Sequence, residues 1–318
     1  MEKVIFDTNT YRYLLGDKTN KQINKLIQKL KYRERKNNIE PLISPIVAKE
    51  LLAHITNRKD KAFSKCLKAI KAQYYHSGDD IQYSMIPTPE LLISKTFFGQ
   101  EIDRKIETNK AIGQMLYHFA KNPSAYVFQK FQKNLNANLK HVQESELFFA
   151  EELLSFIKKI DPSHDDWKVF QNDEKEKKKV LDYIRSEDCS IQIAKGYLFI
   201  VHDLLIQENK ISPIQTNELH DELDKKAKEF IKIFPEPISL FKLVLENILN
   251  SEFNIFENSR SNFVWDIHLM FNVGSNTIGS SKIIFVTSDK AIIRTALGTN
   301  PKNLVLTFDE YMEYLGLK

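Results

Sequence analysis

The chain has 318 residues, 42% apolar and 28% charged, enough to bury one large core or two ordinary ones and unlike a disordered or low-complexity polymer. Its net charge of +4 says little alone, but residues 1–76 hold 17 Lys and Arg against 7 Asp and Glu, while residues 77–250 are net acidic; a basic N-terminal third suits a polyanionic partner. The two cysteines, Cys66 and Cys189, lack metal-ligand spacing and imply no disulfide framework. A strand pattern starting at Lys3 leaves no room for a signal peptide, and no apolar run reaches the roughly 18 residues of a membrane helix. The expectation is a cytoplasmic protein with reduced cysteines and no membrane segment.

In chain order, Val4-Ile5-Phe6 reads as a short buried strand ending in the turn Asp7-Thr8-Asn9. Tyr11 to Leu15 starts a helix, and Lys21 to Tyr32 is amphipathic, with Ile23, Leu26, Ile27 and Leu30 on one face. Arg33 to Glu40 reads as a polar link, and Leu42-Ile43 as a second strand. Ser44 as N-cap and Pro45 at the first helical position predict a helix carrying Glu50 and His54, and Asn57 to Tyr75 reads as a basic helical stretch. Residues 77–250 show no strand alternation but repeated helical periodicity, as in Leu147 to Ile160, Ile191 to Ile206 and Leu240 to Ile248, punctuated by prolines. They read as an all-helical insertion, in which 173–179 form a solvated charge run. Asn262 to Val273 then reads as a helix bearing Asp266. Ile283 to Val286 is a third strand ending in Thr287-Ser288-Asp289, and Ala291 to Leu297 is a helix closed by Gly298. Leu304 to Leu306 is a fourth strand before a last helix, Asp309 to Leu315. Strands alternating with helices predict an α/β fold with a parallel sheet.

Asp7 and Asp289 each end a buried strand, and parallel strands end on one shared crevice. Glu50 lies on the helix after another such strand. Carboxylates gathered there repel one another unless a counter-charge is supplied, and a divalent cation supplies it most simply. The pattern points to a Mg²⁺ or Mn²⁺ site and to phosphodiester cleavage. Rival chemistries lack their signatures, since there is no G-x-S-x-G elbow and no G-x-x-x-x-G-K-[ST] loop. His54, one turn past Glu50, reads better as a surface or packing residue. A phosphatase using Asp7 as nucleophile would want a second Asp where Asn9 stands. Lysines between Lys59 and Lys71, followed by Tyr74 and Tyr75, could grip nucleic acid by phosphate contact and stacking.

The segments VIFDTNTYRYLL, ISPIVAKELL, NFVWDIHLMF, VTSDKAI and NLVLTFDEYMEYL, in that order, resemble the PIN domain, a metal-dependent nuclease family. The resemblance covers less than half the chain: residues 1–76 and 251–318 would form a discontinuous nuclease core around the insertion at 77–250. It implies a three-layer fold with a central parallel sheet flanked by helices and an acidic pocket at the strand ends. It implies catalytic and metal-holding roles for Asp7, Glu50, Asp266 and Asp289, with Asn9, Thr287 and Ser288 orienting substrate, and Mg²⁺ or Mn²⁺ as cofactor. The activity implied is that of an endoribonuclease, favouring RNA over DNA and leaving 5′-phosphate and 3′-hydroxyl ends, and small toxin members of the family pair with an antitoxin, so a protein partner is among the expectations. Two departures stand out: bulky residues follow Asp266, and Lys290-Ala291 replace a further acid. The alternative is a weak or inactive PIN-like module that binds RNA or a protein through its helical insertion.

Overall fold

The computed structural model describes all residues except 1, 17, 79–84, 161, 163–172, 214–215, 252–262, 274–280 and 318. It is mostly helical with a small four-stranded parallel sheet, an arrangement compatible with α/β. The strands are β1 (Glu2–Phe6), β2 (Ile39–Leu42), β3 (Ile283–Val286) and β4 (Leu304–Leu306), ordered β2-β1-β3-β4. Central strands of a parallel sheet are covered on both faces and must be apolar throughout. Val4, Ile5 and Phe6 and all four residues of β3 are accordingly buried. Pro41, which has no N–H to donate, falls on the edge strand β2. Lys3 pairs with Ile283 and Phe6 with Val286, so β1 and β3 end level.

Contacts divide the chain into two compact units. The first comprises Met1–Thr88, Asp103–Val142 and Asn272–Lys318 and holds the sheet. Its helices are α1 (Thr8–Leu15), α2 (Asn20–Lys36), α3 (Pro45–His54), α4 (Phe63–Ser77), α6 (Asp103–Lys121), α13 (Lys290–Thr299) and α14 (Phe308–Tyr314), with the first half of α7 (Ala125–Ile160). The start signal of α3 acts as read, Ser44 Oγ accepting from Val47 N with Pro45 opening the helix, but Gly298, read as closing the helix after β3, lies inside α13, whose C-cap is Asn300. Capping boxes at Thr19/Gln22 and Thr307/Glu310 start α2 and α14. Three further readings shift. Helix α2 runs on through Arg33 to Lys36, because Glu34 is fully buried on the stripe of Ile23, Ile27 and Leu30. The basic stretch after His54 is not continuous: Asn57 Oδ1 and Asp60 Oδ1 accept from Lys59 N and Ala62 N, forming local turns before α4. Residues 103–142, read as insertion, pack within the sheet-bearing unit, where α6 meets α3 and α4 and Asn138 Nδ2 donates to Lys49 O at 2.9 Å.

The second unit comprises Pro89–Ile102 and Gln143–Phe271 and is helical among its described residues. It contains α5 (Pro89–Ile93), a π turn (Ser94–Phe98), the second half of α7, α8 (Glu174–Arg185), α9 (Glu187–Gln207), α10 (Thr216–Ile233), α11 (Pro235–Ser251) and α12 (Phe263–Met270). Phe97, Leu198, Phe230, Phe234 and Phe271 anchor its core. Asp173, from the charge run, caps α8 by accepting from Glu176 N. By length and mean hydropathy α9 could cross a membrane, although Lys195 and Asp203 fall within it and no uninterrupted apolar run in it reaches 18 residues. In the fold Ala194, Leu198, Val201 and Leu205, fully buried or nearly so, belong to this unit's core.

Candidate active site

In the order β2-β1-β3-β4 the chain passes from β1 to β2 on one side and from β3 to β4 on the other, so the strand order reverses between β1 and β3. At such a switch point the loops leaving adjacent strands part, and a crevice opens at the carboxyl ends. The residues leaving β1 and β3 there are Asp7 and Thr287-Ser288-Asp289.

Asp7 is only 4% exposed. As N-cap of α1 it accepts from Thr10 N through Oδ1 at 2.5 Å, and through Oδ2 from Thr287 Oγ1 at 2.5 Å. Its own N–H donates to Val286 O across the β1–β3 ladder. The fully buried Thr287 hydroxyl also accepts from Asp289 N at 3.0 Å, so one side chain joins both strand-end acids. Asp289 caps α13, its Oδ1 accepting from Ala291 N at 2.7 Å and Ile292 N at 3.0 Å. Burial pushes the Asp7 carboxyl above its ordinary value; the bonds from Thr10 and Thr287 pull it back, and the Asp289 charge pushes it up further. The two acids thus sense each other across the switch point.

Glu50 reaches this region through α1. Thr8 Oγ1 donates to Glu50 Oε2 at 2.5 Å, and Thr8 directly follows Asp7. Asn9 is exposed in the first turn of α1, and Ser288 is exposed between Thr287 and Asp289. Asp266 is half-buried on α12 in the second unit, beside Trp265, whose Nε1 donates to Glu146 Oε1 at 2.9 Å. The first unit therefore gathers Asp7, Thr287 and Asp289, ties Glu50 on through Thr8, and does not include Asp266. His54 faces Asp60, Nδ1 to Oδ2 at 3.0 Å. Among the described residues, no three His, Cys, Asp or Glu side chains converge closely enough to hold a metal ion by themselves. The donor set is nonetheless hard oxygen, which suits Mg²⁺, an ion bound by one or two carboxylates together with water and substrate phosphate.

No family model matches the chain, and no curated protein or solved structure does either.

Behind the switch point lies a buried polar network that sequence reasoning missed. Glu34 Oε1 pairs with His76 Nε2 at 2.7 Å and accepts from Tyr311 Oη at 2.8 Å, while Tyr11 Oη lies 3.2 Å from His76 Nδ1. Phe6 packs over His76, ring centroids 4.5 Å apart. Burial, then the charges of Glu34 and Asp7, holds the Tyr11 phenol well above its usual value. These residues join α1, α2, α4 and α14 and fix the helix that Asp7 caps. The signal was present in the 23-27-30-34 spacing, which places Glu34 on an apolar stripe. Thr8, read as a turn residue, and Thr10, which no motif singled out, also carry bonds of the site. Thr10 binds twice, from its N–H to Asp7 and from its Oγ1 to Val286 O at 2.8 Å.

Proposed function

We propose that the chain is a PIN-like, metal-dependent endoribonuclease that acts in the cytoplasm on RNA in preference to DNA. The observation that carries this reading is the pair Asp7 and Asp289, joined by the Thr287 hydroxyl at the sheet's switch point. A buried carboxyl raised by burial and by a neighbouring acid gains most when a cation arrives.

Asp7 and Asp289 would hold Mg²⁺ or Mn²⁺, with Glu50 extending the site. When bound, the ion supplies charge neutralisation at the phosphate and a water acidic enough to ionise near neutral pH. The chain's own groups do the positioning. Thr10 N–H and the Thr287 hydroxyl fix the two oxygens of Asp7, and the first N–H groups of α13 fix Asp289. The exposed Asn9 and Ser288 are placed to orient a scissile phosphate. Asp266 enters on the family resemblance alone, and its Asn variant decides whether it takes part.

A second reading, a PIN-like module that binds RNA or a protein without cutting, is favoured by the absence of a ready three-donor metal cluster among the described residues. Labelled single-stranded RNA incubated with Mn²⁺, with EDTA and Asp7→Asn as controls, separates the two. The nuclease reading expects cutting that needs both metal and Asp7 and leaves 5′-phosphate and 3′-hydroxyl ends. RNA bound but left whole in Mn²⁺ would establish the binding module.

A further inference from the structure

Arg12 lies one helical turn beyond Thr8 on α1, so the two side chains share a face. Thr8 holds Glu50, and the half-buried Arg12 points its Nη2 at Cys66 Sγ, 3.7 Å away on α4. Three charges surround that thiol. Burial raises the Cys66 thiol, Arg12 draws it down, and Asp60 and Glu50 push it up. Burial likewise raises Asp60, but its bonds to His54 and Ala62 N and the charges of His54 and Arg12 outweigh that and leave it lowered.

Neither acid that acts on the Cys66 thiol forms an ion pair with Arg12. Asp60 gives Oδ2 to His54 Nδ1 at 3.0 Å and Oδ1 to Ala62 N at 2.7 Å. Glu50 takes the Thr8 hydroxyl. Among the described residues no carboxylate comes within ion-pairing distance of Arg12, whose side-chain bond there is the long one to sulfur. A partly desolvated guanidinium has five N–H donors in a planar fork that matches phosphate oxygens. A weak thiol contact leaves most of that fork unused.

We propose that Arg12 forms a phosphate-binding subsite on the Glu50 side of the crevice, taking a backbone phosphate of single-stranded nucleic acid next to the one at Asp7. The choice of nucleic acid rests on the nuclease reading; the anion preference does not. Lys59 and Lys61, exposed in the same loop as Asp60, continue the positive rim outward.

Two probes test this. In the first, the melting temperature of the full chain is followed in inorganic phosphate and in chloride at matched ionic strength. Phosphate stabilises wild type and leaves Arg12→Ala no better off than chloride does, while Arg12→Lys, which keeps the charge but not the fork, falls between. In the second, a short fluorescent single-stranded RNA is titrated in EDTA. Arg12→Ala weakens binding about tenfold and lowers the slope of log affinity against log salt by about 0.7, the value for one lost phosphate contact on a single strand. No phosphate effect on wild type, or an equal effect on wild type and Arg12→Ala, overturns the subsite. Arg12-dependent phosphate binding in a protein that never cuts RNA removes the nuclease reading and keeps the subsite. Metal-dependent cutting with no Arg12 dependence in either probe does the reverse.

Discussion

Replacing Thr287 with Val tests the site's construction most sharply, because a near-isosteric change removes two bonds at once. The Thr287 hydroxyl donates to Asp7 Oδ2 at 2.5 Å and accepts from Asp289 N at 3.0 Å, in a fully buried position. The bond to the carboxylate is charge-assisted and contributes about 1.5–3 kcal/mol, and the second about 1 kcal/mol. The loss should be about 2.5–4 kcal/mol, or a fall in melting temperature of roughly 5–8 °C at about 2 °C per kcal/mol for a chain of this size. The Thr287 bond also holds Asp7 down against burial, so Val pushes that carboxyl higher still and weakens Mn²⁺ binding at neutral pH. Thr287→Ser keeps both bonds and loses one methyl, costing about 1 kcal/mol, with Mn²⁺ affinity preserved. Calorimetry on the three proteins reads both quantities. A Val variant that melts within about 1 °C of wild type and binds Mn²⁺ equally would refute the claim that this hydroxyl joins the two acids.

Asp7→Asn should stabilise the metal-free protein at neutral pH. An acid raised in the fold favours folding while protonated, so wild type keeps that stability below the ordinary value of 3.8 and loses it as pH climbs through the raised folded value. The gain from Asn should therefore vanish in acid, and melting curves across that range check the sign. Removing Glu34, as in Glu34→Ala, strands His76 in the core and should cost about 3–5 kcal/mol, read by denaturant unfolding. Tyr311→Phe, which deletes one bond to the same carboxylate, should cost about 1.5–3 kcal/mol and leave Mn²⁺ affinity unchanged. RNA cutting by Asp266→Asn decides that acid's part: a loss of cutting keeps the role the family resemblance implies for it, and undiminished cutting removes it.

The strands were legible because each central one is a short apolar run stopped by a polar turn. Ile283–Val286 and Leu304–Leu306 lie where the runs place them. The strand-end acids followed, since parallel strands deliver their last residues to one edge. Ser44 and Pro45 marked the start of α3 because capping chemistry is local. What could not be read depends on partners distant in sequence. Glu34 looks like a solvated acid until His76 and Tyr311 close on it. Arg12 looks like one more base until Cys66 and Asp60 surround it. Residues 103–142 carry ordinary helical periodicity, which says that a helix forms but not which unit it packs in. The family resemblance places Asp266 in the nuclease core with residues 251–318, whereas the fold groups its helix with the helical unit.

The central claim is that Asp7 and Asp289 together bind a divalent cation at the switch point. Titration calorimetry of Mn²⁺ into the wild-type chain, Asp7→Asn and Asp289→Asn tests it without needing a substrate. The account predicts binding by wild type and a loss of about tenfold or more in each variant, as expected when a ligating carboxylate is neutralised. No binding by wild type, or equal binding by all three proteins, would contradict it.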